Sequence, residues 1–262
     1  MRLIIIWIAI FACATLVAQC FSGQPVTRKP LSETHRPEVV TGFSKRLELG
    51  VFEAFTDEIL RSIDPPQRPT GFFVLAGPRL RFPSGRIAAV DGPGFEDQQL
   101  AFDFPKGTFA VEVLMARQPG TPAPGSPARA YDDPQMGAIL FSAKPVARWQ
   151  PASFREDGEP GCIVTDGGTV AFIDSGAVQD LADYFFALPD RLPRSKRPRP
   201  DGEVDLVMTD YPLGLRAPKG DAFLMRTGVG DGCFNTSYGL AADGSIVALL
   251  VDFTGVVEGH EE

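Results

Sequence analysis

The sequence predicts a mostly antiparallel, β-rich α+β domain with two flanking helices, and three observations predict it. Glycine and proline occur 27 and 24 times in 262 residues, a load that helix interiors tolerate poorly and that many turns absorb. Phenylalanine occurs 20 times, and aromatic side chains fit a pleated, half-buried surface. Apolar residues also recur in short runs between turn signals. In the clearest, Phe109, Val111, Val113 and Met115 alternate with Ala110, Glu112 and Leu114, the period of a strand with two unlike faces.

The first element is a leader. "MRLIIIWIAIFACATLVAQC" places Arg2 before an uncharged run from Leu3 to Ala18, the order of a secretory signal: basic start, apolar middle, small residues near a cut. At about 16 residues the run is short of the roughly 20 that span a bilayer as a helix. Cleavage near Ala18 to Ser22, lipid attachment at Cys20 and an uncleaved anchor are the three fates, and each implies export to the periplasm or the envelope membrane. Residues 21–44, proline-rich and polar, read as a flexible tether. A single β-rich globular domain then fills 45–262.

Within the domain, Val51, Phe52, Phe55, Ile59 and Leu60 stand at helical spacing and Pro65-Pro66 ends the run. "GFFVLAGPRLRFPSGRIAAVD" and "QQLAFDFPKGTFAVEVLMA" read as strands and turns. From Arg117 to Gln135 the chain reads as a loop excursion, with Pro119, Pro122, Pro124 and Pro127 forbidding regular structure. Strands resume in "GAILFSAKPVARW" and "GCIVTDGGTVAFID". A second helix fits Ser175–Leu188, where Val178, Leu181, Ala182, Phe185 and Phe186 share a face before Pro189. The basic run after it, Arg191 to Arg199, lacks aromatic residues and reads as a solvated loop. Asp243-Gly244 predicts a two-residue hairpin turn, and the unbroken apolar run Ile246–Val251 predicts a strand covered on both faces.

The segments "LRFPSGRIAAVD", "FPKGTFAVEVLMA", "VTDGGTVAFID" and "GVGDGCFNTSYGLAADGSIVALLVDF" occur in this order. Together they resemble the bacterial family catalogued as domain of unknown function 4241, over roughly Leu80 to Val257. The chain departs from it at Phe234-Asn235-Thr236, where the family usually has an aromatic-proline pair, and in the long Pro119–Pro134 insertion. The resemblance implies a fold grouping and no named activity.

Charge and residue usage narrow the function. A net charge of −8 and a pI near 4.9 oppose nucleic-acid binding, which needs a basic face, and suit a cationic protein partner. The histidines, His35 and His260, lie outside the expected core, so histidine-assisted nucleophiles and histidine-rich zinc sites lack their parts. Gly228, Gly230 and Gly232 alternate, which fits neither a phosphate loop nor a dinucleotide fingerprint. No cofactor and no metal is expected from these patterns. Cys162 and Cys233 either pair in an oxidising compartment or stand as separate buried thiols.

Carboxylates remain. Asp166, Asp231 and Asp252 are the candidates for acid–base or Ca²⁺ chemistry, against the ordinary use of Asp beside Gly in turns. Arg86, Trp149, Asp231 and Phe234 are the candidates for partner binding, Arg86 being also suited to an ion pair inside the domain. Two functions are therefore expected in order. The first is an exported, non-catalytic binding module of the immunity type, meeting the membrane only through its leader or a lipid on Cys20. The second is a carboxylate-dependent hydrolase of envelope glycans or phosphoesters.

Overall fold

The structure is a computed structural model and describes residues 37–40, 42–91, 98–120, 130–154, 161–165, 168–183 and 212–256. Leader, Cys20 and most of the tether lie outside the described residues, as do Asp166 and the basic run after Pro189.

The fold is β-rich, and every strand pairing among the described residues is antiparallel. Among the described residues, fourteen strands run in chain order: β1 (Glu38–Val40), β2 (Ser44–Arg46), β3 (Phe72–Phe82), β4 (Ile87–Asp91), β5 (Gln98–Gln99), β6 (Gly107–Gln118), β7 (Tyr131–Leu140), β8 (Arg148–Pro151), β9 (Cys162–Thr165), β10 (Thr169–Asp174), β11 (Leu213–Ala217), β12 (Gly220–Arg226), β13 (Gly232–Leu240) and β14 (Ile246–Asp252). They form two sheets. One has the order β1-β11-β12-β10-β4-β5, and the other β2-β3-β6-β7-β14-β13-β8, with β9 also paired to β13.

The sheets pack face to face because each offers one row of large apolar side chains. The main core interleaves Phe172, Phe223 and Met225 of the first sheet with Phe82, Val111, Ile139, Tyr238 and Leu249 of the second. The alternation in β6 works as the sequence predicts. Phe109, Val111, Val113 and Met115 enter this core, while Leu114 points the other way into a second cluster.

That second cluster is made by helix α1 (Glu53–Ser62), whose buried face carries Phe55 and Ile59. With Phe52 from the preceding turn, they cover Val74, Leu114, Met136, Ala138 and Leu250 on the outer face of the larger sheet. The sheet is thus apolar on both sides at β14, and this explains the unbroken run. Leu249 and Val251 face the sandwich, and Leu250 faces the helix. The second expected helix begins at 178, after a turn over 175–177, and its described part ends at 183.

Three expectations are corrected. The C-terminal end of the expected tether is strand: Glu38–Val40 pairs with β11 and Ser44–Arg46 with β3, so edge pairing overrides a polar composition. The loop excursion stops before Tyr131, since Pro134 is accommodated where the β6–β7 register shifts between Leu114 and Met115, the kind of bulge that tolerates a missing N–H. The final hairpin has a three-residue loop, Ala242 to Gly244. There Gly244 (φ +79°) donates to the Ala241 carbonyl, and Ala241 N–H bonds back to Ser245, a type I turn closed by a left-handed glycine. Among the described residues no helix is long and apolar enough to cross a membrane.

Candidate functional site

One end of the sandwich opens into a cleft of about 580 Å³. Its floor is Val113 and Met115 from β6 and Met225 from β12, all members of the main core. One wall is the start of β7, Tyr131 to Pro134. The adjoining rim is Arg226 at the end of β12 and the glycine-rich segment after it, with Gly228 and Gly230, joined by Gly168 from the approach to β10.

The glycines are there because the rim is too tight for side chains. Gly228 has φ +77°, and a Cβ on it would lie 2.5 Å from Asp133 Oδ1 and 3.0 Å from the Pro134 carbonyl oxygen. Gly168 has φ +58° and stands against Gly230, a Cβ being 3.1 Å from its Cα. Thr227 locks the turn: its hydroxyl donates to the Gly230 carbonyl at 2.6 Å and accepts from Gly230 N–H at 3.1 Å, while its own N–H bonds the Gly168 carbonyl at 3.0 Å. The glycine segment is therefore a turn that also makes a rim, which a phosphate loop's rules would not have revealed.

The charges at the cleft are unequal in their support. Asp132 is paired with Arg117, whose guanidinium is held above its ordinary value by that partner. Asp133 is half-buried, and burial pushes its carboxyl above the ordinary value; a hydrogen bond from Gln135 offsets this in part. Tyr131 and Val229 stand 56% and 67% exposed at the edge, so the mouth offers apolar surface around an incompletely compensated carboxylate.

The residues expected from sequence do not gather here. Asp231 is exposed beside the rim. Asp252 is buried and accepts from Thr254 N–H (2.7 Å) and Thr254 Oγ1 (2.6 Å), the work of a turn residue. Asp252 sits opposite Asn235 in the β13–β14 ladder, and Asp231 is four residues further along, about 13 Å at strand rise. These two aspartates are not one acid–base pair. Among the described residues no group of three Asp, Glu, His or Cys is placed to hold a metal ion.

The binding candidates also separate. Phe234 is a core residue meeting Phe253 edge-on at 5.4 Å. Trp149 lies on the helix-covered side of the larger sheet, tilted against Phe55. Arg86, in the β3–β4 turn, reaches Asp103 at 3.7 Å with both side chains exposed. Cys162 and Cys233 are joined in a disulfide, Cα atoms 5.3 Å apart.

A separate polar cluster missed in the sequence knits β3, β10 and β12. Buried Asp174 accepts from Ser84 N–H and Oγ, both at 2.9 Å, and from Gly176 N–H at 2.9 Å. Buried Asp221 accepts from the backbone and side chain of Arg81 at 2.7 to 3.3 Å. Each carboxylate oxygen has a donor, so the cluster is a brace. The residues at the cleft, by contrast, were hidden in "AYDDP", whose one signal was an acidic pair between a proline-rich run and an apolar one.

No curated protein and no solved structure matches the chain. The family described as Protein of unknown function (DUF4241) matches residues 80–251, a span that includes the glycine rim, the brace and strands β4 to β13. The chain belongs to that family.

Proposed function

We propose that this protein is an exported, non-catalytic binding module of the bacterial envelope, of the immunity type, that covers a cationic protein and takes one of its basic side chains into the mouth cleft. The observation that carries this reading is Asp133: a half-buried carboxylate over an apolar floor, with its charged form disfavoured by burial. An incoming Lys or Arg would restore the lost solvation with a charge-assisted bond, and its methylene stem would lie along Val113, Met115 and Met225. Exposed Tyr131 is suited to an anchoring contact. The net charge of −8 favours encounter with a basic partner. The leader supports export.

The test is site-specific photocrosslinking in the native host, with the crosslinker replacing Tyr131 and, as a control, replacing exposed Asp103, which pairs with Arg86 of the β3–β4 turn away from the cleft. A single stoichiometric adduct from position 131, lost when Asp133→Asn is added, is expected. Equal adducts from both positions, or turnover of a cell-wall, lipid or sugar substrate by the purified protein alone, overturns the reading.

A further inference from the structure

The disulfide between Cys162 and Cys233 lies on the solvent side of the larger sheet. On β13, exposed Cys233 and Asn235 alternate with buried Phe234 and Thr236; on β9, half-buried Cys162 and exposed Val164 flank buried Ile163. Strand alternation turns Ile163 and Phe234 into the core, opposite one another in the ladder, and leaves the two sulfurs outside it. A dissolved thiol can therefore meet the bond while the sandwich stays folded.

Beneath the bond, β9 is seated at a cost. Among the described residues it pairs with β13 alone, over the four residues Cys162 to Thr165. Thr165 is buried, and its hydroxyl has no hydrogen-bond partner among the described residues; buried Thr236 on β13 is in the same condition. A buried hydroxyl without a partner opposes its own burial. Ile163 favours docking and the orphaned hydroxyls oppose it, so the covalent bond, which holds β9 at a high effective concentration beside β13, decides the balance.

This strand abuts the rim of the mouth cleft. Thr165 stands opposite Gly232, and Gly230, two residues earlier, is packed against Gly168 and bound to the Thr227 hydroxyl. The chain thus passes from the rim into the bonded strand between Gly230 and Cys233. We propose that the disulfide is a redox latch on the mouth cleft. With the bond closed, β9 and the rim are held in place and the cleft takes its partner. With the bond open, β9 leaves β13, the rim loosens and the partner is released. The inference rests on the cleft being the binding site proposed above.

The chemistry is thiol–disulfide exchange with a dithiol reductant. One thiolate of the dithiol attacks the sulfur of Cys233, the more exposed of the two residues, and expels Cys162 as a thiolate that takes up a proton. The second thiolate attacks the reductant's own sulfur in the mixed disulfide and releases Cys233, which is protonated in turn. The protein gains two electrons and two protons, and the dithiol leaves as a cyclic disulfide.

The test treats the full chain with dithiothreitol in buffer without denaturant, then labels thiols and follows amide exchange by mass spectrometry. The peptides carrying Cys162 and Cys233 are expected to be labelled within minutes. Amides of the β9–β13 ladder and of Thr227 and Gly230 should then exchange at least about tenfold faster, as a local opening, while those of β6 and β7 keep their rate. Purified protein with the crosslinker at position 131, mixed with host envelopes, should lose its adduct on reduction and regain it on reoxidation. Cys162→Ser/Cys233→Ser should lack the adduct without any reductant, which excludes an effect on the partner. If that variant does not fold, wild type reduced, alkylated and freed of reductant replaces it. Labelling only in denaturant, equal acceleration in β6 and β7, or an undiminished adduct from the reduced protein overturns the proposal. Absence of the adduct in both redox states strikes the binding reading itself, and this inference with it.

Discussion

Cys162 and Cys233 are bonded diagonally across the β9–β13 ladder, in which Cys162 stands opposite Asn235 and Cys233 opposite Val164. The bond fastens a four-residue strand that would otherwise hold on through few hydrogen bonds. It closes a separation of 71 residues, for which the chain-entropy account gives about 4 kcal/mol. The double variant Cys162→Ala/Cys233→Ala should melt roughly 10 °C lower in a thermal scan. Dithiothreitol should lower the wild type to the same point and leave the variant unmoved.

Asp133 should oppose stability and serve binding. Burial raises its folded carboxyl above the ordinary 3.8, so the folded state holds the proton more tightly than the unfolded chain does. The favourable contribution is present below the ordinary value and lost as pH rises through the folded one. Asp133→Asn, which does not ionise, should therefore be more resistant to urea than wild type at neutral pH. The difference should shrink as pH falls through the raised folded value and be gone below the ordinary 3.8. The same variant should lose the partner crosslinked at position 131. A variant that is less stable at neutral pH would contradict the assignment.

Asp174 and Asp231 should behave in opposite ways although both stand at strand ends. Asp174→Ala strips acceptors from Ser84 N–H and Gly176 N–H inside the brace, at on the order of 1–3 kcal/mol for each buried orphan. Asp231→Asn changes an exposed residue and should move stability by less than about 0.5 kcal/mol. Paired denaturation curves separate the two.

Phe52 is fully buried between α1 and the outer face of the larger sheet. Phe52→Ala should cost about 3–5 kcal/mol. Because it loosens α1 on the sheet, where Phe55 packs against Trp149, it should also shift Trp149 emission to longer wavelength even where the sandwich stays folded. Unchanged emission at a lowered melting point would contradict the packing of α1 on Trp149.

Local signals carried most of the secondary structure. The alternation in 109–115, the apolar run 246–251, the helical spacing of Phe52, Phe55 and Ile59 and the turn at Asp243-Gly244 each involve residues near in sequence. The sequence was silent on what pairs at long range. Arg81 finds Asp221 across 140 residues, and Arg46 finds Glu112 only because β2 and β6 both flank β3. The mouth cleft joins 131–134 to 226–230 through two different sheets, and no periodicity encodes that. Tertiary pairing also recruited polar edge segments, Glu38–Val40 and Tyr131–Gln135, that composition alone assigns to loops.

The position of β14 bears on how the chain is made. This late strand lies between β7 and β13 in the middle of the larger sheet, and β7 ends at Leu140 while β14 begins at Ile246. At a synthesis rate of about 5–20 residues per second, β7 waits roughly 5–20 s for its neighbour. During that interval the nascent sheet has an open apolar edge and cannot close. A chaperone has those seconds in which to engage an unclosed sheet, and the window shuts when β14 emerges.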